Sequence, residues 1–263
     1  MARPNVPITE YFVADSAFAT EFRRLLYRLM NLPDKRDLKS ILVSSAILSE
    51  GKSTVAAFLA IVAARKGLKT LLVDCDLRRP VIHRLFALPR VHGVVELLSE
   101  GLAVKSVIKK TSVDKLEIIT AGRLNTHPGD VFDAAAIGSL LADLKFYYDL
   151  ILVDSPPVIP VSDPMLLASE VDGVLLVIKS GFTQREIVRR AVEILGRDEG
   201  KLLGFVMNNI NRSLPYYYDH RHYGYDYAPR SNNDASGDRP PAGGGGSEHP
   251  PERSGRKGSK SPS

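Results

Sequence analysis

Three short stretches of this 263-residue chain carry side chains whose types and spacing suit work on a phosphate ester. The first, SSAILSEGKSTVAAFLA (44–60), contains Ala46-x-x-x-x-Gly51-Lys52-Ser53, a phosphate-binding loop with alanine at its first glycine position. Such a loop aims backbone N–H groups at phosphate oxygens from the start of a helix. On a solvent-open loop Lys52 would reach the terminal phosphates, and the Ser53 hydroxyl would ligate Mg²⁺. The second stretch, LILVDSPPV (150–158), ends an apolar run on Asp154, where a carboxylate can hold a metal or its water shell. The third, LLVDCDLRRP (71–80), sets Asp74 and Asp76 one residue apart. Packing does not explain two such carboxylates, because burying unpaired charge is costly. Beside a magnesium nucleotide, one would steady the metal and the other orient or deprotonate an incoming hydroxyl. The sequence does not say which does which. Arg78 and Arg79 either neutralise this pair, touch phosphate or form an ordinary structural ion pair.

These residues need elements that bring them together. Apolar runs at 41–45, 70–76, 116–121, 150–155, 173–179 and 203–209 are nearly continuous in Val, Ile and Leu, as expected of strands covered on both faces. Helical patterns at 53–66, 132–148 and 183–197 alternate with them. The expected fold is therefore α/β, a mostly parallel sheet covered by helices on both faces, with the site beyond the C-terminal ends of the strands. A further helix over 16–32 carries an apolar stripe of Phe18, Phe22, Leu25, Leu26 and Leu29, while Glu21, Arg24 and Arg28 share another face.

Composition bounds the remaining possibilities. The apolar (44%) and charged (25%) fractions are those of a globular protein. The longest apolar run, Val55 to Ala64, is too short to span a bilayer, and the N-terminus lacks a signal-peptide core. One cysteine, Cys75, excludes an internal disulfide and suits a reducing compartment, so a cytoplasmic location is expected. Of the net +5, residues 228–263 supply six Lys/Arg against four Asp/Glu, which leaves +3 for the rest. That excess is too weak to argue for nucleic acid. Six of the ten tyrosines fall in YYYDHRHYGYDY (216–227). The following tail, 228–263, has no aliphatic side chain larger than alanine and is expected to be disordered. The chain thus divides into an N-terminal extension (1–15), a main domain (16–215), the tyrosine cluster (216–227) and the tail (228–263).

With SEGKST, VDCDLRRP, VDSPPV and the tyrosine cluster in this order, residues 16–227 resemble the bacterial tyrosine kinases (BY-kinases) of capsular and exopolysaccharide systems. HGVVELLSEGL (92–102), THPGD (126–130) and LGFVMNN (203–209) add to the likeness. The resemblance implies a P-loop ATPase fold that uses ATP and Mg²⁺. It implies Lys52, Asp74, Asp76 and Asp154 as catalytic residues, with Ser53, Asp74 and Asp154 handling the metal. Ser49, Glu50, Gly51, Lys52, Ser53 and Thr54 would hold the nucleotide, with Asn208 at the adenine. Tyr216, Tyr217, Tyr218, Tyr223, Tyr225 and Tyr227 would be phosphoacceptors, modified in trans to regulate polysaccharide synthesis or export. The implied partners are a membrane polysaccharide co-polymerase whose cytoplasmic tail activates the kinase, a cognate tyrosine phosphatase, and copies of this chain in a ring. The kinase would then lie at the inner face of the membrane through its partner. Two departures stand out. Leu48-Ser49 replaces the family's Pro-Gly, and the ring helix's Glu-x-x-Arg-x-x-Arg reads Glu21-x-x-Arg24-x-x-Tyr27, with Arg28 one place late.

Two other readings compete. Partition and septum-positioning ATPases share this fold without kinase activity, but they carry a signature lysine where this chain has Ile47, and they lack the tyrosine cluster. A nucleotide-binding scaffold could instead stack nucleic-acid bases on the tyrosines. Asp219 and Asp226 interrupt that cluster, so no nucleic-acid partner is expected.

Overall fold

Strands covered on both faces need apolar side chains in both directions, and each of the six apolar runs forms a strand in the computed structural model. The run at 203–209, however, is an edge strand that leaves Phe205 and Met207 exposed, so it is not covered on both faces. The structure describes residues 7–10, 12, 16–33, 37–125, 127–196 and 201–209; the tyrosine cluster and the tail lie outside them. The strands are β1 (Ser40–Ser45), β2 (Thr70–Asp74), β3 (Ile108–Lys110), β4 (Leu116–Ile119), β5 (Leu150–Asp154), β6 (Gly173–Lys179) and β7 (Leu202–Asn208). They form one sheet in the order β3-β4-β2-β5-β1-β6-β7. All pairings are parallel except β3 with β4. The short β3, with its sequence Ile-Lys-Lys, is an edge strand that the apolar pattern does not reveal.

The helices are α1 (Ala17–Met30), α2 (Lys52–Arg65), α3 (Ile82–Leu85), α4 (Val94–Ser99), α5 (Val104–Val107), α6 (Ala134–Leu144), α7 (Asp163–Glu170) and α8 (Arg185–Leu195). Strand alternation assigns the faces. Ile41 and Val43 pack with α1 and α2, whereas Leu42 packs with α6 and α7. Helix α2 is apolar nearly all round because the sheet covers one side and α1 the other. Its Phe58 contacts the rings of Phe12, Phe18 and Phe22 at 4.7–6.3 Å between centroids. The amphipathic α1 is capped by Ser16, whose side chain accepts a hydrogen bond from Ala19 N.

At the end of the sheet opposite the phosphate loop, Asp172 fixes where β1 begins. Its Oδ2 accepts from Lys39 N, Ser40 N and Ser40 Oγ at 2.8–3.0 Å, and its Oδ1 pairs with Lys145 Nζ at 2.6 Å. Burial pushes its carboxyl up, but the Lys145 ammonium and the Ser40 and Lys39 donors outweigh it and hold the carboxyl below the usual range.

Phe58 is buried and touches three rings, whereas Phe18 is half exposed. Phe58→Ala is therefore expected to cost about 3–5 kcal/mol in urea unfolding. Phe18→Ala should cost clearly less, and equal losses would contradict the docking of α1 through Phe58.

Candidate active site

The strand order puts the three chemical stretches side by side. β1 leads into the phosphate loop, and β5 and β2 are its successive neighbours on one side. Asp74 and Asp154 are register partners at the ends of β2 and β5, and Cys75 N donates to Asp154 O at 2.8 Å. Two acidic strand ends thus meet directly beside the start of α2.

In the loop, Gly51 adopts φ +92°, a conformation that favours glycine. A Cβ there would also lie 2.2 Å from Asn208 Nδ2. Ser49, in place of the family's glycine, takes φ +65°. Ser45 Oγ donates to Ile47 O, and Ser44 Oγ donates to Pro156 O, joining the loop's base to the segment after Asp154. The N–H groups of the first helical turn at Lys52, Ser53 and Thr54 have no intrahelical acceptor by helix geometry.

Lys52 departs from the sequence expectation of a solvent-open side chain. It is 9% exposed, with Nζ 2.7 Å from Asp76 Oδ2, 3.1 Å from Ser53 Oγ and 3.6 Å from Asp154 Oδ1. Burial pulls its pKa down, but the Asp154, Asp76 and Asp74 carboxylates more than reverse this and raise it. Three carboxylates face one ammonium, and the surplus negative charge registers on the acids. Burial and the Asp154 charge push Asp74 well above the usual range. Burial pushes Asp154 up to about 6, against the pull of Lys52. The Cys75 thiol between the aspartates is buried and pushed up too, which makes it unreactive.

The three carboxylates differ in what holds them. Asp74 accepts from the backbone N–H of Asp76 and of Ile82, both at 3.2 Å, so each of its oxygens braces the loop after β2. Asp76 accepts Arg79 N with Oδ1 and turns Oδ2 to Lys52. Asp154 is buried and more sparsely satisfied: its neighbours are Lys52 Nζ, 3.6 Å from Oδ1, and the Ser53 hydroxyl, and neither oxygen is held at full hydrogen-bond geometry. A carboxylate so sparsely satisfied at the end of β5, beside the start of α2, fits a cation or its water shell. No group of three His, Cys, Asp or Glu side chains among the described residues forms a metal cage of its own. Mg²⁺ keeps waters and phosphate oxygens and borrows only one or two carboxylates, and Asp154 beside Ser53 is where this site offers one.

The other sequence candidates are distributed around this centre. Thr54 is exposed at the start of α2. Asn208 donates from Nδ2 to Glu50 O at 2.8 Å and accepts Asn209 N on Oδ1, so its amide is engaged with the loop and the end of β7. Glu50 is 1% exposed with its carboxylate turned inward, a position the sequence does not reveal. Of the two arginines after Asp76, Arg78 makes a structural ion pair, Nε to Asp163 Oδ2 at 3.2 Å, while Arg79 is exposed. Glu21 and Arg24 pair at 2.7 Å on the exposed face of α1, and Arg28 is exposed one turn further on. In HGVVELLSEGL, Glu96 is structural: its buried carboxylate gathers the N–H groups of His92, Gly93 and Arg123. Gly93 is required there because a Cβ would lie 2.0 Å from Thr120 O.

With this geometry in place, comparison with known proteins fixes the family. Residues 38–222 match the ParA family model, described as NUBPL iron-transfer P-loop NTPase. The iron chemistry in that description belongs to its namesake; this chain's one cysteine is the buried Cys75. Tyrosine-protein kinase YwqD of Bacillus subtilis is 34% identical over 75% of this chain and 81% of its own length. The kinase domain of the Escherichia coli tyrosine kinase ETK superposes with a TM-score of 0.73 at 26% identity, covering 79% of this chain and 82% of that one. The cell division ATPase MinD of Pyrococcus furiosus has a TM-score of 0.59 at 24% identity, over 66% of this chain and 73% of its own, and shares the fold. The chain belongs to the bacterial tyrosine-protein kinases, enzymes built on the ParA-type P-loop NTPase fold.

Proposed function

We propose that this kinase transfers the γ-phosphoryl group of Mg-ATP to the tyrosines of its own C-terminal cluster, in trans, and that this regulates polysaccharide synthesis or export. The observation that carries the reading is the charge imbalance at the loop: one ammonium, Lys52 Nζ, lies 2.7 Å from Asp76 and 3.6 Å from Asp154 and faces three buried carboxylates. Bound Mg-ATP would supply the phosphoryl group and the metal charge that this cluster accommodates. Lys52 would exchange Asp76 for the β- and γ-phosphates. Ser53 Oγ and Asp154 would face the metal. Asp76, already turned towards Lys52, is the better placed to take the tyrosine proton. Asp74, held on two backbone N–H groups, suits orientation of the metal's waters. A tyrosine hydroxyl, with pKa about 10, needs such a base and a metal-bound phosphate to react.

No helix among the described residues is long and apolar enough to cross a membrane. A membrane co-polymerase with an activating cytoplasmic tail, and a tyrosine phosphatase that resets the cluster, complete the proposed system. The Glu21/Arg24/Arg28 stripe would join copies into a ring. Reversing Arg24 and Arg28 to Glu should yield monomers under activating conditions, and unchanged light scattering would assign the stripe to solvent.

Labelled ATP tests the chemistry. Phosphate should appear on residues 216–227 of the native chain and vanish in Lys52→Met. Because that change breaks a buried pair, it should also cost about 3–5 kcal/mol of stability. Asp154→Asn removes surplus buried charge, so it should abolish transfer while keeping or raising stability. Full activity in either variant would overturn the site.

The pH dependence has a definite sign. Asp154 titrates near 6 when folded against an ordinary 3.8, so the folded state holds that proton more tightly. Its contribution to stability is complete below the ordinary value and is lost as pH rises through about 6. Mg-nucleotide affinity, which uses the ionised form, should fall as pH drops through the same range. Asp154→Asn should flatten both profiles; calorimetric titrations that keep their slope would contradict the assignment.

A further inference from the structure

Glu50 stands in the phosphate loop, yet its carboxylate is committed elsewhere. Oε2 accepts from Ile47 N at 2.7 Å, closing the loop on itself. Oε1 accepts from Lys179 N at 3.2 Å and from Thr183 Oγ1. The first is the end of β6 and the second the turn before α8. Its backbone oxygen accepts Asn208 Nδ2 from β7. Both carboxylate oxygens are therefore satisfied at 1% exposure, and a second role as a direct ligand for an anionic triphosphate is electrostatically unfavourable.

The loop requires such an anchor. Ser49, next to Glu50, sits at φ +65°, a left-handed conformation that L-residues adopt only at a steric cost. Leu48 before it is exposed and contributes little packing. Three donors on one buried carboxylate, one from the loop and two from the end of β6 and the turn after it, tie that strained turn to the sheet.

We propose that Glu50 is a positioning residue, holding the phosphate loop against the strain at Ser49 in the shape that receives the nucleotide. It acts through the loop backbone and not by touching phosphate. The inference rests on the reading of this loop as the nucleotide site, and the brace itself can be tested without nucleotide.

Amide hydrogen exchange on the nucleotide-free full chain is the first measurement. In Glu50→Ala, Ile47 and Lys179 should exchange about tenfold faster or more, while Leu42 and Val43 in β1 keep their protection. Glu50→Gln has one acceptor oxygen and should protect one of the two amides. The second measurement is turnover against Mg-ATP concentration. A displaced loop should raise KM about tenfold in Glu50→Ala, whereas a general folding lesion lowers kcat at constant KM. Ser49→Gly should recover part of that loss in the Glu50→Ala background, because glycine takes φ +65° without strain. If Glu50→Ala fails to fold, Thr183→Val removes one donor and should still raise KM about threefold. Native KM in that variant, or native exchange and KM in Glu50→Ala, would overturn the brace. A native chain that binds no nucleotide, yet shows the Glu50-dependent protection, would overturn the proposed function and uphold the brace.

Discussion

Lys52 Nζ lies 2.7 Å from Asp76 and 3.6 Å from Asp154 in a site almost closed to water, and the molecule is arranged around that contact. One ammonium cannot neutralise three buried carboxylates. In an interior of low dielectric the surplus is expensive, and it is expressed as raised carboxyl pKa values at Asp74 and Asp154. A site in that condition gains from any ligand that brings a divalent cation together with phosphate oxygens for the lysine. The cluster is thus unfavourable for the bare fold and suited to a magnesium nucleotide, which is the usual trade between stability and activity at functional sites.

The fold supplies the rigidity that keeps such charges in place. Parallel pairing of β2, β5 and β1 sets their acidic ends and the phosphate loop within one cluster. Asp172 fixes the far end of β1, and Phe58 locks α2 between the sheet and α1. Glu50 and Asn208 join the loop to β6 and β7. Lys52, Asp76 and Asp154 therefore follow or end three adjacent strands, and a fixed frame of this kind limits the rearrangement that the proposed reaction would need.

Much of this was legible in the sequence because long-range pairing leaves a local mark. Strands buried on both faces show as Val/Ile/Leu runs, and the phosphate loop and the two acidic strand ends show as fixed spacings. What escaped has identifiable causes. β3 is three residues with two lysines, too short and polar to register. α7 is only eight residues long, too short to display a helical period. Lys52 reads as solvent-open because it belongs to a phosphate loop; only the folded sheet reveals the carboxylates that draw it in. Glu50 sits in a motif whose residues are read as ligands, and its inward rotamer depends on Lys179 and Thr183, more than 120 residues away. Arg78 finds its partner Asp163 on α7 by the same kind of distant contact.

If the tyrosines at 216–227 are the acceptors, as proposed, the product would act on the enzyme itself. Each phosphate would add about −1.5 to −2 charges at pH 7, so a few of them would exceed the +3 of residues 1–227 and favour release from a neighbouring copy. The most direct test mixes a Lys52→Met chain, which keeps the tyrosines, with an active chain truncated before residue 216. Under activating conditions the account predicts phosphotyrosine on residues 216–227 of the Lys52→Met chain. A Lys52→Met chain left unmodified, while the native chain phosphorylates itself, would contradict transfer between copies.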